Sequence, residues 1–199
     1  MSSEPSIPFV GLTGGLGSGK STALAALQRR GAATLSADAV VHELYAGPQV
    51  RDAVIARWGP EVAPDGVVDR AAVARHAFAD PAERAWLEEL IWPLVRAHVT
   101  AWRAEAQGRT PRPLACVVEV PLLFESGGEG AYDATIAVIA REDLRAQRAA
   151  DRGHEAVDER AARQLSQQEK AQRATYVVEN DGSTEDLEAA LAVILTSLS

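Results

Sequence analysis

A short glycine-rich segment, GGLGSGKS at residues 14–21, constrains this chain more than any other part of its sequence. It fits the pattern G-x-x-x-x-G-K-[ST], in which backbone amides surround the phosphates of a bound nucleotide. An apolar run at residues 7–12 precedes the segment and predicts a buried strand, while the helix-forming run at residues 22–27 follows it. A strand, a glycine loop and a helix in this order predict a nucleotide-binding α/β domain.

Each part of the motif predicts a contact with the nucleotide. Lys20 is expected to reach the β- and γ-phosphates, and the Ser21 hydroxyl is expected to ligate Mg²⁺. Lys20 is one of only two lysines beside eighteen arginines, and a slim ammonium suits this loop better than a forked guanidinium. The residues predicted to bind the nucleotide here are Gly14, Gly15, Gly17, Ser18, Gly19, Lys20, Ser21 and Thr22.

Five short apolar or β-branched segments, separated by helical stretches, predict a parallel sheet with right-handed crossovers. They are residues 7–12, 33–36, 115–120, 134–140 and 175–179. About eighty residues separate the second segment from the third, so an inserted helical unit is expected there. In this insert an apolar stripe runs from Trp86 to Trp102, and Pro93 is expected to kink or restart its helix. Asp69 and Ser183 are expected to cap later helices.

Composition narrows the class of protein. The net charge of −8 argues against broad binding of nucleic acid or membranes, and no apolar run approaches the roughly 18 residues of a membrane helix. No signal peptide is evident, and the single cysteine, Cys116, lies in an apolar segment, so we expect a cytoplasmic protein with an inert core thiol. Residues 141–173 carry eight basic and seven acidic side chains, which suits a small polyanionic ligand.

The patterns D-x-x-G and N-K-x-D are both absent from the sequence, which argues against a GTPase and leaves an ATP-dependent kinase of a small molecule. Asp38, just past the second strand segment, is the candidate for accepting the proton of the phosphate acceptor. It could equally be the N-cap of a helix that begins at Ala39. His42, on the same helical face, could touch an acceptor phosphate or simply lie at the surface, and a metal pair with Asp38 would need further ligands.

The chain resembles the dephospho-CoA kinases over nearly its full length. The phosphate loop is shared by many families, whereas the block PLLFE after a strand, and the order of the whole set of motifs, are more specific. The matching residues are 11–22, 36–38, 65–70, 121–125 and 180–183, with Arg148, Arg152, Arg163 and Gln167.

The resemblance implies transfer of the ATP γ-phosphate to the ribose 3′-hydroxyl of dephospho-CoA, the last step of coenzyme A synthesis. It implies Asp38 as the catalytic base, assisted by Lys20 and Arg148. It also implies that Arg148 and Arg152 close over the phosphates and that Asn180 lies near the adenine. The implied parts of the monomer are a nucleotide-binding core (1–45, 111–140 and 171–199), a helical CoA-binding insert (46–110) and a lid (141–170).

Four positions depart from the family pattern. Ser36, Trp92, Arg145 and Thr175 stand where the family usually has Asp, His, Gln and Asp respectively. These departures affect secondary contacts and leave the implied reaction intact. Glu119, at the end of the third strand segment, could support the water shell of Mg²⁺ or act as a buried cap. The rival interpretations are a nucleoside or nucleotide kinase of the same fold and a nucleotide-binding regulator without transfer chemistry.

Overall fold

The computed structural model describes residues 6–150 and 164–198. Within these residues five strands form one sheet in the order β2-β3-β1-β4-β5, and every neighbouring pair is parallel. The strands are β1 (Phe9–Gly14), β2 (Ala33–Ser36), β3 (Cys116–Glu119), β4 (Ala134–Ile139) and β5 (Tyr176–Glu179). The predicted five-stranded parallel α/β sheet is therefore confirmed.

The central strand, β1, begins two residues later than predicted and extends to Gly14. All six of its residues are buried, which explains why its sequence is apolar throughout rather than alternating. It starts at Phe9 because Pro8 has no amide hydrogen for the sheet, although the Pro8 carbonyl still accepts from the Cys116 amide at 2.8 Å. At the other end Gly14 pairs with Val138, so the strand leads directly into the glycine loop.

Helices cover much of the remaining described chain. None of them is both long and apolar enough to cross a membrane. They are α1 (Lys20–Arg29), α2 (Ala37–Ala46), α3 (Pro48–Trp58), α4 (Arg70–Ala79), α5 (Pro81–Gln107), α6 (Glu142–Ala150), α7 (Gln167–Arg173) and α8 (Thr184–Ser197).

The chain divides into two compact units, of which the first comprises the residues up to Ser36 and those from Arg103 onward. Its core packs α1 and α8 against the sheet, with Leu27 and Leu191 among the fully buried side chains. Cys116 is fully buried in the same unit, and this burial raises the pKa of its thiol. The expected core position of the cysteine is thus confirmed.

Both predicted helix caps are present. The Asp69 carboxylate accepts a hydrogen bond from the Ala71 amide at 2.9 Å and so caps α4. Ser183 caps α8 through a capping box, because its hydroxyl accepts from the Asp186 amide and the Asp186 carboxylate accepts from the Ser183 amide. Each cap satisfies amides that have no partner inside their helix.

The second unit, Ala37–Trp102, contains α2, α3, α4 and most of α5. Its core is a cluster in which Val54, Val73 and Ile91 are buried, and part of the predicted tryptophan stripe packs against it. Of the two outcomes expected at Pro93, a kink or a restart, the restart is wrong, since α5 continues as one helix through this proline. A proline removes a single amide donor from a helix, and the apolar stripe on both sides of Pro93 keeps the helix packed.

Candidate active site

The glycine loop runs from the end of β1 to the start of α1, and two of its glycines adopt backbone conformations that other residues seldom tolerate. Gly17 has a φ of 73° and Gly19 has a φ of 93°. A Cβ at Gly17 would collide with the backbone oxygen of Arg145, and a Cβ at Gly19 would collide with the side-chain amide of Asn180. The loop is therefore held closely between α6 and the residue that follows β5.

The N-terminus of α1 lacks the side chains that usually satisfy the first amides of a helix. Gly19 is the N-cap, no side chain bonds to the cap, and the first turn holds no acid. Beside it the Ser18 Oγ atom is buried and has no hydrogen-bond partner among the described residues. Orphan amides at the positive end of a helix dipole favour an anion. A bound phosphate fits this arrangement.

The first turn of α1 carries the polar side chains that the motif predicts. The Lys20 ammonium folds over its own loop and donates to the Gly15 carbonyl at 3.1 Å. The next residue, Ser21, is exposed, and Thr22 is half-buried. Among the described residues, no group of three or more His, Cys, Asp or Glu side chains could hold a metal ion.

One predicted site residue from the second half of the chain, Asn180, bonds to the loop, and a second, Arg148, bonds to Asn180. Asn180 is buried, and its side-chain amide donates to the Ser18 carbonyl at 2.8 Å. Arg148, on α6, donates from Nη1 to the Asn180 carbonyl at 3.0 Å. These bonds connect α6, the end of β5 and the glycine loop. Arg152 and Arg163 lie outside the described residues.

Arg145, one of the departures from the family pattern, also contacts the loop. Its Nε donates to the Leu16 carbonyl at 2.9 Å, and its Nη1 donates to the Glu142 carboxylate at 2.6 Å. Its Nη2 lies against Gly15, where a Cβ would come within 2.9 Å of it. The sequence showed an unusual residue at this position but did not show that it would hold the outer side of the loop.

Thr175 and Gln167 also stand at positions that were compared with the family, and both form hydrogen bonds with the sheet. The Thr175 hydroxyl accepts from the Thr135 amide, and the Thr175 amide donates to the Thr135 hydroxyl, both at 3.0 Å. The Gln167 side chain accepts from the Ala140 amide at 2.9 Å and donates to the Ala140 carbonyl at 2.8 Å. Both side chains therefore bond to backbone near the ends of β4, as a neighbouring strand would.

Asp38 lies in the second unit, in the first turn of α2 and two residues beyond the end of β2. The alternative interpretation of this residue as the N-cap of a helix starting at Ala39 is wrong, because α2 already begins at Ala37. In the same unit the Arg70 guanidinium donates to Nδ1 of His42 at 3.0 Å. The hydrogen-bond partner of this His42 ring nitrogen is therefore Arg70 and not Asp38.

Glu119 ends β3 in the first unit and is only 7% exposed. It pairs in register with Leu12 on β1 and with Ser36 on β2, so its backbone lies between the two strands that lead to the glycine loop and to α2. Both interpretations of its carboxylate, as support for a metal's water shell or as a buried cap, stay predictions.

A buried ion pair close to the loop was not predicted from the sequence. The Lys170 side chain is fully buried, and its ammonium lies 2.8 Å from the Glu125 carboxylate. Burial lowers the pKa of this ammonium, and the carboxylate offsets the effect in part. A signal was available, since Lys170 is the second of only two lysines.

A parallel sheet with an anion-binding glycine loop after its central strand defines a P-loop protein. It shares its fold with shikimate kinase from Acinetobacter baumannii, which superimposes with a TM-score of 0.52 at 13% identity, over 96% of this chain and 94% of that one. The family model for dephospho-CoA kinase matches residues 8–186. The chain belongs to the dephospho-CoA kinase family.

Individual relatives agree with the family model. The chain is 40% identical to a dephospho-CoA kinase of Deinococcus radiodurans over 200 residues, which cover 98% of this chain and 95% of that protein. It is 42% identical to one of Symbiobacterium thermophilum over 180 residues, covering 88% and 74% respectively. The crystal structure of TT1252 from Thermus thermophilus superimposes with a TM-score of 0.81 at 35% identity, over 98% of this chain and 100% of that one. The resemblance inferred from the motifs is thus confirmed, and with it an ATP-using kinase.

Proposed function

We propose that this chain transfers the γ-phosphoryl group of ATP to the ribose 3′-hydroxyl of dephospho-CoA, which yields coenzyme A and ADP. The observation that carries the proposal is the phosphate loop of a dephospho-CoA kinase family member, in which α1 begins without a capping side chain. Such a helix start holds a polyphosphate, and the family indicates the acceptor. We expect a cytoplasmic monomer that acts on small molecules and binds neither nucleic acid nor membranes.

The loop would bind the phosphates of ATP through its backbone. The amides between Gly14 and Gly19 would donate to phosphate oxygens, with the first-turn amide of Thr22 nearby. The Lys20 ammonium, which now donates to the Gly15 carbonyl, would turn to the β- and γ-phosphates. Asn180, which borders the loop through the Ser18 carbonyl, would lie near the adenine.

Ser21 is the proposed protein ligand of Mg²⁺. Its exposed hydroxyl in the first turn of α1 is a hard oxygen donor, and Mg²⁺ in kinases commonly takes few protein ligands beside phosphate oxygens and water. The donor therefore fits the ion. When bound, Mg²⁺ supplies neutralisation of the phosphate charge.

Asp38 is the proposed catalytic base. The chain leaves β2 two residues before it, and open α/β sheets bind their ligands at the carboxyl ends of their strands. Its carboxylate would accept the proton of the 3′-hydroxyl while that oxygen forms a bond to the γ-phosphorus and the bond to the leaving ADP breaks. Arg148, already bonded to the Asn180 carbonyl beside the loop, would stabilise the charge on the transferring group, together with Arg152.

Replacing Lys20 by Met should lower kcat by about 10²-fold, because one preorganised donor to the transferring phosphate is lost. Steady-state kinetics with varied ATP would measure this, and Arg29→Met is the matched control. Arg29 lies on the same helix, but it is half-exposed and pairs with Glu188 away from the loop. Activity of Lys20→Met within threefold of the unmodified protein would remove this lysine from the site.

Mass spectrometry of the product formed from ATP and dephospho-CoA tests the proposed reaction directly. We expect a product heavier than dephospho-CoA by one phosphoryl group (HPO₃), together with one ADP for each molecule formed. Faster phosphorylation of a nucleoside or nucleotide from a panel would favour a different kinase of this fold. ATP binding without ADP release that depends on an acceptor would indicate a regulator. Either result would contradict the proposal.

A further inference from the structure

We infer that Lys170 is a positioning residue, which holds the ends of β1 and β3 together so that the phosphate loop is correctly placed for phosphoryl transfer. This inference rests on the proposed function of the loop. Lys170 lies on α7 and is fully buried, and its hydrogen bonds within the described residues go to none of the proposed substrate contacts. Its role would be exerted through the backbone segments that it joins.

Three acceptors from the described part of the chain surround the Lys170 ammonium. Its Nζ donates to the Pro121 carbonyl at 2.8 Å, to the Glu125 carboxylate at 2.8 Å and to the Thr13 hydroxyl at 3.3 Å. An ammonium has three protons to donate, so the three contacts satisfy all of them. The surroundings of the ammonium therefore match its hydrogen-bonding capacity.

Two of the acceptors belong to the strand ends beside the loop. Thr13 directly precedes Gly14, and Pro121 follows the end of β3 by two residues. The ladder between β1 and β3 ends with Leu12 and Glu119, followed by one bond from the Val120 amide to the Leu12 carbonyl. At the next residues along each strand the Thr13 hydroxyl donates to the Pro121 carbonyl at 3.3 Å, and the ammonium donates to both of these oxygens. It thus continues the connection between the strands at the level where the loop begins.

The presence of lysine rather than arginine or an apolar residue at position 170 also indicates a specific role. Burying an ammonium is costly, and an apolar side chain of similar volume often serves stability equally well or better. This chain uses arginine at eighteen positions and lysine at two, yet it has lysine here. A planar guanidinium with five donors could not satisfy itself on these three acceptors.

Glu125, in the PLLFE block, completes the cluster. Its Oε1 accepts from Lys170 and also from the Leu165 amide at 2.7 Å. Its Oε2 is buried without a hydrogen-bond partner among the described residues. Among the described residues, Lys170 is therefore the cation that compensates the charge of this carboxylate. A variant that removes the ammonium alone would leave this carboxylate buried and unpaired, and would confuse a stability effect with a positioning effect.

The test separates these two effects with paired variants. Lys170→Met removes the ammonium, and Lys170→Met with Glu125→Gln removes both charges at similar volume. Arg173→Met, an exposed change on the same helix, is the control. We expect the double variant to melt within a few degrees of the unmodified protein while its kcat falls about 10- to 100-fold, because small displacements near a reacting group reduce rate strongly. Its KM for dephospho-CoA should change little.

A kcat of the double variant within twofold of the unmodified protein would overturn the inference, because the ion pair would then serve stability alone. A second measurement does not depend on any variant of Lys170 or Glu125. Labelling lysine with ¹³C at Cε gives two signals, from Lys20 and Lys170, and the Lys20→Arg variant assigns them. We expect a non-hydrolysable ATP analogue to shift the Lys170 signal. An unchanged signal at saturation would contradict coupling to the loop.

The two readouts distinguish this inference from the proposed function. If the unmodified protein fails to phosphorylate dephospho-CoA, the proposed reaction is refuted, and the nucleotide-dependent shift of the Lys170 signal still tests the coupling. If the unmodified protein is active and both Lys170 results are negative, only the positioning role is refuted.

Discussion

Replacing Asp38 by Asn should lower kcat by about 10²- to 10⁴-fold, the usual contribution of a general base. The amide has nearly the same size as the carboxylate but cannot take up the proton of the 3′-hydroxyl. The affinity for ATP should stay nearly unchanged, because the proposed phosphate contacts come from the loop and from α1. Steady-state kinetics and direct measurement of ATP binding would give the two quantities separately.

Asp52→Asn is the matched control for this substitution. Asp52 is also an acid of the second unit, but its side chain is 65% exposed and pairs with the neighbouring Arg51. We expect this control variant to have normal turnover. Unchanged turnover in Asp38→Asn would assign proton removal to another group, and a parallel loss of ATP affinity would indicate that Asp38 acts on the nucleotide.

Replacing Arg148 by Ala should lower kcat by about 10³-fold, the lower end of the range for an arginine that stabilises the transferring phosphoryl group. The KM for dephospho-CoA should rise much less than kcat falls, because the proposed interaction strengthens as charge develops in transfer. In the free protein the guanidinium bonds to the Asn180 carbonyl beside the loop. Kinetics with varied dephospho-CoA would separate the two effects.

The control for Arg148 is Arg141→Ala. Arg141 directly precedes α6, and its side chain is 62% exposed with Asp143 as its ion-pair partner. An exposed pair of this kind contributes little to stability, so the control should behave like the unmodified protein. A rise in KM with unchanged kcat in Arg148→Ala would mean that this arginine only holds the substrate.

Most of the fold was predictable because its signals are local. The apolar segments predicted all five strands, and the error at the start of β1 came from Pro8, whose missing amide delays pairing. The caps at Asp69 and Ser183 were predictable because each cap bonds to an amide a few residues ahead. The choice between a continuous helix and a restart at Pro93 could not be made from the sequence, because it depends on packing of the apolar stripe against neighbouring helices.

Part of the candidate site was likewise predictable from the sequence, and part was not. The loop and Lys20 could be identified from the sequence, because the residues that shape the loop are adjacent in the chain. The contacts of Arg145 with Leu16 and of Asn180 with Ser18 could not, because each joins residues more than one hundred positions apart. The base role of Asp38 stays a prediction, and so do the domain boundaries inferred from the resemblance.

By itself the sequence determined the class of protein. Glycine spacing, strand length and capping residues act over a few positions, and each is compatible with few local structures. Only the tertiary structure decided what surrounds the loop. Lys170 meets Thr13 across 157 positions and Pro121 across 49, and no local pattern encodes such an encounter. The physical reason is that the partner of a buried charge is selected by the packing of the whole core, where an unpaired charge is too costly to keep.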